Sequence, residues 1–445
     1  MIRMKIPSLT IALFLAATVS QTQAGQVNND VLEIEMAVTQ ALENNPGLAS
    51  MVARARALAA IPPQAGSLPD PRLSLNMMNI PLDTFDLKQE GMTQIQVGFS
   101  QILPFPGKLS LRESAAKYES AAAQWDVAEM RLKLVRDVKT VWWNLFFIDR
   151  AIDIVERNDK LLHQFVAVAQ TKYKVGKGLQ QDVLLAQLEL SKLRDRSITL
   201  QGMRRSQMAR LNTLLDYPSN KDLKLPSKVN ESLKEINNEA ALLVLAEKNR
   251  PILSARRNKI DAARARLKFA QKSYSPDFML GANYGYRGGQ NMDGTTRADF
   301  LSIKISMNLP LYAGSRQDKT VDQRSRQVVQ TRYQLDDAQG MVSAQVSKAL
   351  ANYQQYRDKS QLFKQGIIPQ AGQTVASMLA AYQVNKVDFL NLIRAQITLF
   401  NYETGYWKSF SQAKQALAGL ATAIGRRDID INESGNIQMN EIEVN

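Results

Sequence analysis

"YKVGKGLQQDVLLAQ", Tyr173–Gln187, returns further along the chain as "YQVNKVDFLNLIRAQ", Tyr382–Gln396. Tyr, Val, Lys, Ala and Gln stand in the same places at a constant offset of 209, from Tyr173 to Tyr382 and from Ala186 to Ala395. The echo is one end of a longer duplication. "ALENNPGL" (Ala41–Leu48) matches "AEKNRPIL" (Ala246–Leu253), and "DPRLSL" (Asp70–Leu75) matches "SPDFMLG" (Ser275–Gly281), both at an offset of 205. "QILPFPGKL" (Gln101–Leu109) matches "NLPLYAGSR" (Asn308–Arg316). A fixed period across the whole chain marks two copies of one structural plan. Each copy reads as helix, two strands, very long helix, turn and return helix.

The strands show period-two alternation. Leu73, Leu75 and Met77 share one face of the first. In "QIQVGFSQI", Ile95, Val97 and Phe99 oppose Gln94, Gln96, Gly98 and Ser100. In the second copy Leu280, Ala282, Tyr284 and Tyr286 oppose Gly281, Asn283 and Gly285, and Ile303 and Ile305 oppose Ser302, Lys304 and Ser306. Such alternation sets one face against an apolar medium and the other against water. The predicted hairpins span 70–103 and 276–311. Ile95, Val97, Phe99, Leu280, Ile303 and Ile305 are the expected lipid-facing side chains.

No Gly or Pro interrupts residues 108–175. Apolar residues there fall in steps of three and four, from Trp125 and Leu132 through Trp142 and Val155 to Ala169 and Tyr173, as in a coiled-coil seam. At 1.5 Å per residue this helix is a rod of roughly 100 Å. Its second copy, 315–383, contains Gly340, Gly366, Pro369 and Gly372. Pro369 is expected to bend or loosen it, because proline removes one ladder hydrogen bond and crowds the preceding turn. Shorter helices are predicted at about 30–61, 180–216, 238–272 and 388–424. The first repeat thus covers 25–216, a linker 217–237, the second repeat 238–424, and a tail without amphipathic pattern 425–445.

Composition narrows the chemistry. The 445 residues include no cysteine and a single histidine, His163. Disulfides, thiolate metal sites, Cys nucleophiles and His clusters are thereby excluded. No nucleophile elbow or Walker loop is present, so no catalytic residue, resident metal or cofactor is expected. Met77 and Met78 point to opposite faces of a strand, which argues against a thioether metal site; Trp142-Trp143 and His163 read as helix packing and helix surface. Arg3, Lys5 and the apolar run Ile11–Val19 before Thr22-Gln23-Ala24 form a secretory signal with cleavage expected after Ala24. The formal charge of +14, two less without Arg3 and Lys5, is carried on helices where Lys and Arg interleave with Glu and Asp. With an export signal, that pattern reads as solvated helix faces, and nucleic acid is not an expected partner.

Four amphipathic strands do not close a barrel, and an open sheet edge is not tolerated in lipid. Three copies would supply twelve strands, an even number wide enough to leave a lumen, with their rods gathered beneath as a hollow helical cylinder. The ordered, duplicated strings "ALENNP", "LPDPRLSL", "LPFPGKL", "YKVG…LLAQL" and "YQVN…IRAQI" resemble the TolC-like outer-membrane efflux ducts over essentially the whole mature chain. "SLPDPRLSLNMMNIPLDTF" and "GMTQIQVGFSQILPFPGKLSLR" are most similar to the heavy-metal branch, the outer-membrane partners of Czc- and Cus-type pumps.

The resemblance implies an α+β membrane protein: a homotrimer sharing a 12-stranded barrel in outer-membrane lipid above a periplasmic coiled-coil barrel. It implies as partners a periplasmic membrane-fusion adaptor and an inner-membrane resistance-nodulation-division (RND) pump. The opening stretch becomes the periplasmic tip, with Gly176, Gly178, Asn385 and Lys386 as candidate docking residues. Where the family places acidic residues around its closed aperture this chain has Asn391 and Arg394, leaving Asp182 and Asp388 as the available carboxylates; both also suit the first turn of a helix. A duct for drug efflux or type I protein secretion is the alternative, and a periplasmic coiled-coil scaffold or adaptor a third reading.

Overall fold

The computed structural model describes residues 31–429. The expected signal peptide and residues 430–445 of the tail lie outside the described residues. The first repeat comprises α1 (Ile34–Asn44), α2 (Pro46–Ala59), α3 (Ile61–Gly66), β1 (Arg72–Met78), β2 (Gln94–Leu103), α4 (Lys108–Lys174) and α5 (Gln180–Leu215). The second comprises α6 (Glu239–Asn249), α7 (Pro251–Lys272), β3 (Phe278–Tyr286), β4 (Phe300–Met307), α8 (Gln317–Leu362), a π-helical turn (Phe363–Ile367), α9 (Ile368–Gln383) and α10 (Phe389–Ala423).

Two helices expected to be continuous are broken, each at a residue preceding proline. Asn45 (φ −63°, ψ 118°) separates α1 from α2, and Arg250 (φ −68°, ψ 117°) separates α6 from α7. The proline ring crowds the residue before it out of the helical region. Both breaks then serve as anchors. Asn45 caps α2 by accepting from the Leu48 amide at 3.0 Å, and its Nδ2 donates to the Leu214 carbonyl near the end of α5 at 3.1 Å. Arg250, the same position one repeat on, donates to the Thr422 carbonyl near the end of α10. Its Nη2 also lies 2.9 Å from Glu129 Oε1 on α4, and both side chains are almost fully buried.

The first rod, α4, runs unbroken for 67 residues, about 100 Å. In the second rod the helix does not stop at Pro369. It widens into the π turn just before it, which relieves the clash between the proline ring and the carbonyl four residues back. Phe363 of that turn lies against Gly405 of α10, where an added Cβ would meet its ring at 3.1 Å.

Helix α4 is buried on more than a single seam, because α2, α5, α7 and α10 all pack along it. Trp142, Trp143 and Phe146 join Trp407 and Phe410 of α10 in an aromatic cluster, and Trp142 Nε1 donates to the Leu32 carbonyl at 3.0 Å. Trp125 and Tyr173, expected in the seam, are exposed at its two ends. His163 is also exposed, 3.6 Å from Asp159.

The strands form one antiparallel sheet in the order β1-β2-β3-β4. The β2–β3 ladder, with Val97 opposite Tyr284 and Phe99 opposite Ala282, joins the two repeats. Among the described residues β1 and β4 are each paired on one side only.

Replacing Arg250 by Met removes the closest cationic partner of the buried Glu129 and leaves it the half-exposed Lys133 at 3.4 Å. Removing one partner of a buried pair is expected to destabilise by about 3 kcal/mol. The double replacement Arg250→Met/Glu129→Leu should recover most of that loss in thermal unfolding followed by circular dichroism; equal losses in the two proteins would show that the pair is not the anchor.

Candidate functional sites: the helical tips and the curved sheet

Both rods end in the same turn. After α4, the Lys177 amide donates to the Lys172 carbonyl at 2.8 Å across Gly176, whose φ is +72°. After α9, the Lys386 amide donates to the Ala381 carbonyl at 2.9 Å across Asn385, whose φ is +60°. These six-to-one bonds with a left-handed residue between are Schellman terminations. Gly176 has open space around it, so conformation alone selects glycine, and asparagine is the side chain that best tolerates the same region. Gly178 is different: an added Cβ would stand 2.9 Å from Lys172 Cβ, so the chain there presses against the rod it has just left.

The two tips are tied together by Lys172. From the last turn of α4 its Nζ reaches the tip of the second rod, donating to the Tyr382 carbonyl and, at 2.7 Å, to Asn385 Oδ1, and it sits 4.1 Å from the centre of the Tyr382 ring. The Tyr382 hydroxyl is buried without a hydrogen-bond partner, and burial, with the nearby Asp182 carboxylate, pushes it up to about 12. Sequence reasoning passed over Lys172 because its counterpart one repeat on is Ala381. The signal was available as that departure from the repeat: a cation in the last turn of the first rod, where the helix dipole favours one, against an alanine in the second.

Asp182 and Asp388 are brought close enough to repel one another. Partial burial is the main influence raising the Asp182 pKa; Asp388 adds to it, while the Leu179 amide and Lys172 oppose it. Asp182 thus supports the start of α5 through the Leu179 backbone. Asp388 occupies the N-cap position of α10 yet makes no side-chain cap hydrogen bond. Asn391 and Arg394 are exposed within the first turns of α10, and Lys386 is exposed at the turn itself.

At the other end of the molecule the sheet is curved with its polar face inward. Ser74, Gly98, Asn283 and Ser302 lie in one cross-strand row. An added Cβ on Gly98 would stand 2.1 Å from Asn283 Oδ1 and 2.6 Å from Ser74 Oγ, and one on Gly285 would stand 2.0 Å from Gln94 Oε1. The ends of these side chains fold over the glycines, and Gln94 and Gln96 on this face are 7% and 9% exposed while the apolar face is open, as on the concave side of a curved sheet. The apolar face is convex: Val97 and Phe99 on a central strand are 48% and 54% exposed, and Ile303 and Ile305 on β4 are 78% and 68% exposed. Leu280 is on the same face, and Ile95 is half-buried on it. Among the described residues no helix is long and apolar enough to cross a membrane.

Comparison with known proteins agrees with this architecture. The sequence profile described as "Outer membrane efflux protein" matches residues 37–216 and 242–426. Outer membrane protein TolC of Escherichia coli (strain K12) is 23% identical over 307 residues, which is 66% of this chain and 60% of TolC. The chain spans 39% and 60% of the two curated relatives it matches, the shorter match being an uncharacterized protein of Haemophilus influenzae. Among solved structures, the outer membrane protein VceC from Vibrio cholerae superposes with a TM-score of 0.74 at 19% identity, covering 88% of this chain and 96% of VceC. CusC superposes with a TM-score of 0.72 at 17% identity, covering 88% of this chain and 92% of CusC. The fold is therefore the TolC-like one, and the two matched segments take in both repeats: the chain belongs to the outer membrane efflux protein family and is a protein of the Gram-negative outer membrane.

Proposed function

We propose that three copies of this chain close their sheets into a 12-stranded barrel above a continuous helical cylinder, forming a passive efflux duct across the outer membrane and periplasm. One observation carries this reading. Each chain presents a sheet that is apolar on its convex face, polar on its concave face and unpaired at both edges, mounted on rods of about 100 Å. That is one sector of a barrel, and lipid does not accept its open edges.

On this reading the two tips of each chain surround the periplasmic mouth, six in a trimer. The exposed turns at Gly176, Gly178, Asn385 and Lys386 are the docking surface for a periplasmic membrane-fusion adaptor, through which an RND pump delivers cargo. Asp182 and Asp388 line the aperture, with Asn391 and Arg394 beside them on α10. The strings around Asp70–Phe85 and Gly91–Arg112 support heavy-metal cations as that cargo, through their resemblance to the metal branch of the family.

Reconstitution into planar bilayers tests the duct directly: the purified protein should conduct as a trimer, and a non-conducting monomer would remove the proposal. The membrane orientation has its own test. Val97→Arg places a charge on the convex face and should impair insertion, at about 2–4 kcal/mol near the bilayer midplane, whereas Ser302→Arg on the concave face should insert normally. Equal effects would reverse or abolish the assignment of the faces.

The tip contact sets the resting state. Lys172→Met removes the charge-assisted bonds to Tyr382 and Asn385, a loss of about 1–2 kcal/mol at a half-exposed site. The variant is expected to show a higher resting conductance and faster proteolysis within residues 172–180 and 381–389, with the trimer intact; parental values in both measurements would free the contact of any role in closure. For the cargo, a deletion strain should lose tolerance to Cu, Ag, Zn, Co or Cd. Unchanged metal tolerance with lost drug tolerance would assign the duct to organic compounds instead.

A further inference from the structure

The concave face of the sheet carries only two charged side chains among its strand positions, and both are cations. Arg72 stands on β1 and Lys304 on β4; the remaining inward positions hold Ser, Asn, Gln, Gly and apolar residues. The two cations are in register. Arg72 pairs with Ser100, Ser100 with Gly281, and Gly281 with Lys304, so all four form one transverse row across the sheet. The small residues between them leave the middle of the row open. Both cations are exposed, and neither makes an ion pair or side-chain hydrogen bond among the described residues. The neighbouring carboxylates do not neutralise them: Asp299, the nearest in sequence to Lys304, accepts from the Tyr284 hydroxyl and from the Arg287 amide at 2.9 Å. Asp277 is held by Lys108 Nζ at 2.7 Å and by the Phe105 amide at 2.8 Å, and Asp70, two residues before Arg72, makes no ion pair with it.

Arg72 and Lys304 also occupy the two free edges of the sheet. Closing the barrel brings β4 of one chain beside β1 of the next, so each seam collects a lysine and an arginine. The row lies at the strand ends that lead into the helices, which is the periplasmic end of the barrel. We propose that these residues form a ring of six cations inside the assembled duct, and that this ring selects for anionic permeants: carboxylates, phosphate or sulfonate esters, or a metal ion carried in an anionic chelate. The ring rests on the trimeric-duct reading above. Twelve tilted strands about 4.8 Å apart give a backbone radius of roughly 12 Å, and inward side chains narrow it further. With a screening length of about 8 Å at physiological salt, the fields of six cations overlap across such a lumen. Rings of Arg and Lys are how pores admit anions, and a free divalent cation meets repulsion here.

The experiment uses full-length protein in planar bilayers under a KCl gradient. In the variant Arg72→Gln/Lys304→Gln, the chloride-to-potassium permeability ratio should fall about threefold or more. Inositol hexakisphosphate added from the barrel side should block the parent at a concentration about tenfold lower than the variant, with the difference vanishing as salt is raised. The charge-conserving variant Arg72→Lys/Lys304→Arg should behave as the parent, which separates charge from any effect on folding. Unchanged selectivity and block in the Gln variant overturn the ring. Binding of the same hexaphosphate to the detergent-solubilised protein, followed calorimetrically, keeps the two readings apart. If the parent does not conduct, the duct reading falls, and the ring survives only if the parent trimer binds the anion and the Gln variant loses that binding about tenfold. A protein that is monomeric, or a parent that binds no more anion than the variant, overturns it.

Discussion

The unpaired edges of the sheet govern everything else in this molecule. β1 and β4 each leave a row of backbone donors and acceptors without partners among the described residues. Water can satisfy such a row, but hydrocarbon cannot. The convex face of the same sheet is apolar and largely exposed, so the sheet is built for hydrocarbon and is incomplete within it. Closure by further copies resolves both facts together. It also explains why a chain with one folded helical body carries so much exposed Leu, Ile and Phe on its strands. The concave face is filled to match: the ends of Asn283 and Gln94 occupy the space that a Cβ would take at Gly98 and Gly285.

The helical part repeats one solution with altered chemistry. Each proximal helix breaks before a proline, and the residue at the break binds the end of the return helix, through an amide at Asn45 and a guanidinium at Arg250. Each return helix ends on a left-handed residue, Asp216 or Gly425, with matching six-to-one bonds at 2.8 and 2.9 Å. Each rod ends likewise at Gly176 or Asn385. The backbone requirement is the same in both copies, while the side chains that meet it differ. The copies part most clearly where one rod is a straight α-helix and the other contains a π turn before Pro369. Their difference at Lys172 and Ala381 lets the first tip hold the second.

Charge is distributed unevenly along the proposed duct. The helical tips carry both signs: Asp182 and Asp388 lie near one another and near Lys172, and Lys174, Lys177 and Lys386 stand on the same turns. The charged side chains on the polar face of the strands, Arg72 and Lys304, are both cations. On the duct reading a bare cation meets mixed charge at the tips and repulsion at the strands. An ion travelling with its counter-charge, as a chelate or a mixed organic solute, meets a partner at both.

Much of the architecture was legible from the chain itself, because it depends on local periodicity. The strand alternation set the faces of Val97, Phe99, Ile303 and Ile305, and the run without Gly or Pro after Lys108 announced an unbroken rod. The duplication showed that Gly176 and Asn385 occupy equivalent turns. Pro46 and Pro251 were visible too, but a helical pattern on both sides concealed that the residue before each leaves the helix. What only the tertiary structure decided depends on residues far apart in sequence. The reach of Lys172 to Asn385 requires two rod ends to be side by side, and the Arg250–Glu129 pair requires α7 to pack on α4. The row of Arg72 and Lys304 requires three ladder registers to be known at once. Periodicity assigns a side chain to a face of its own element; which distant side chain shares that place is settled by packing and register, and these follow from the whole chain.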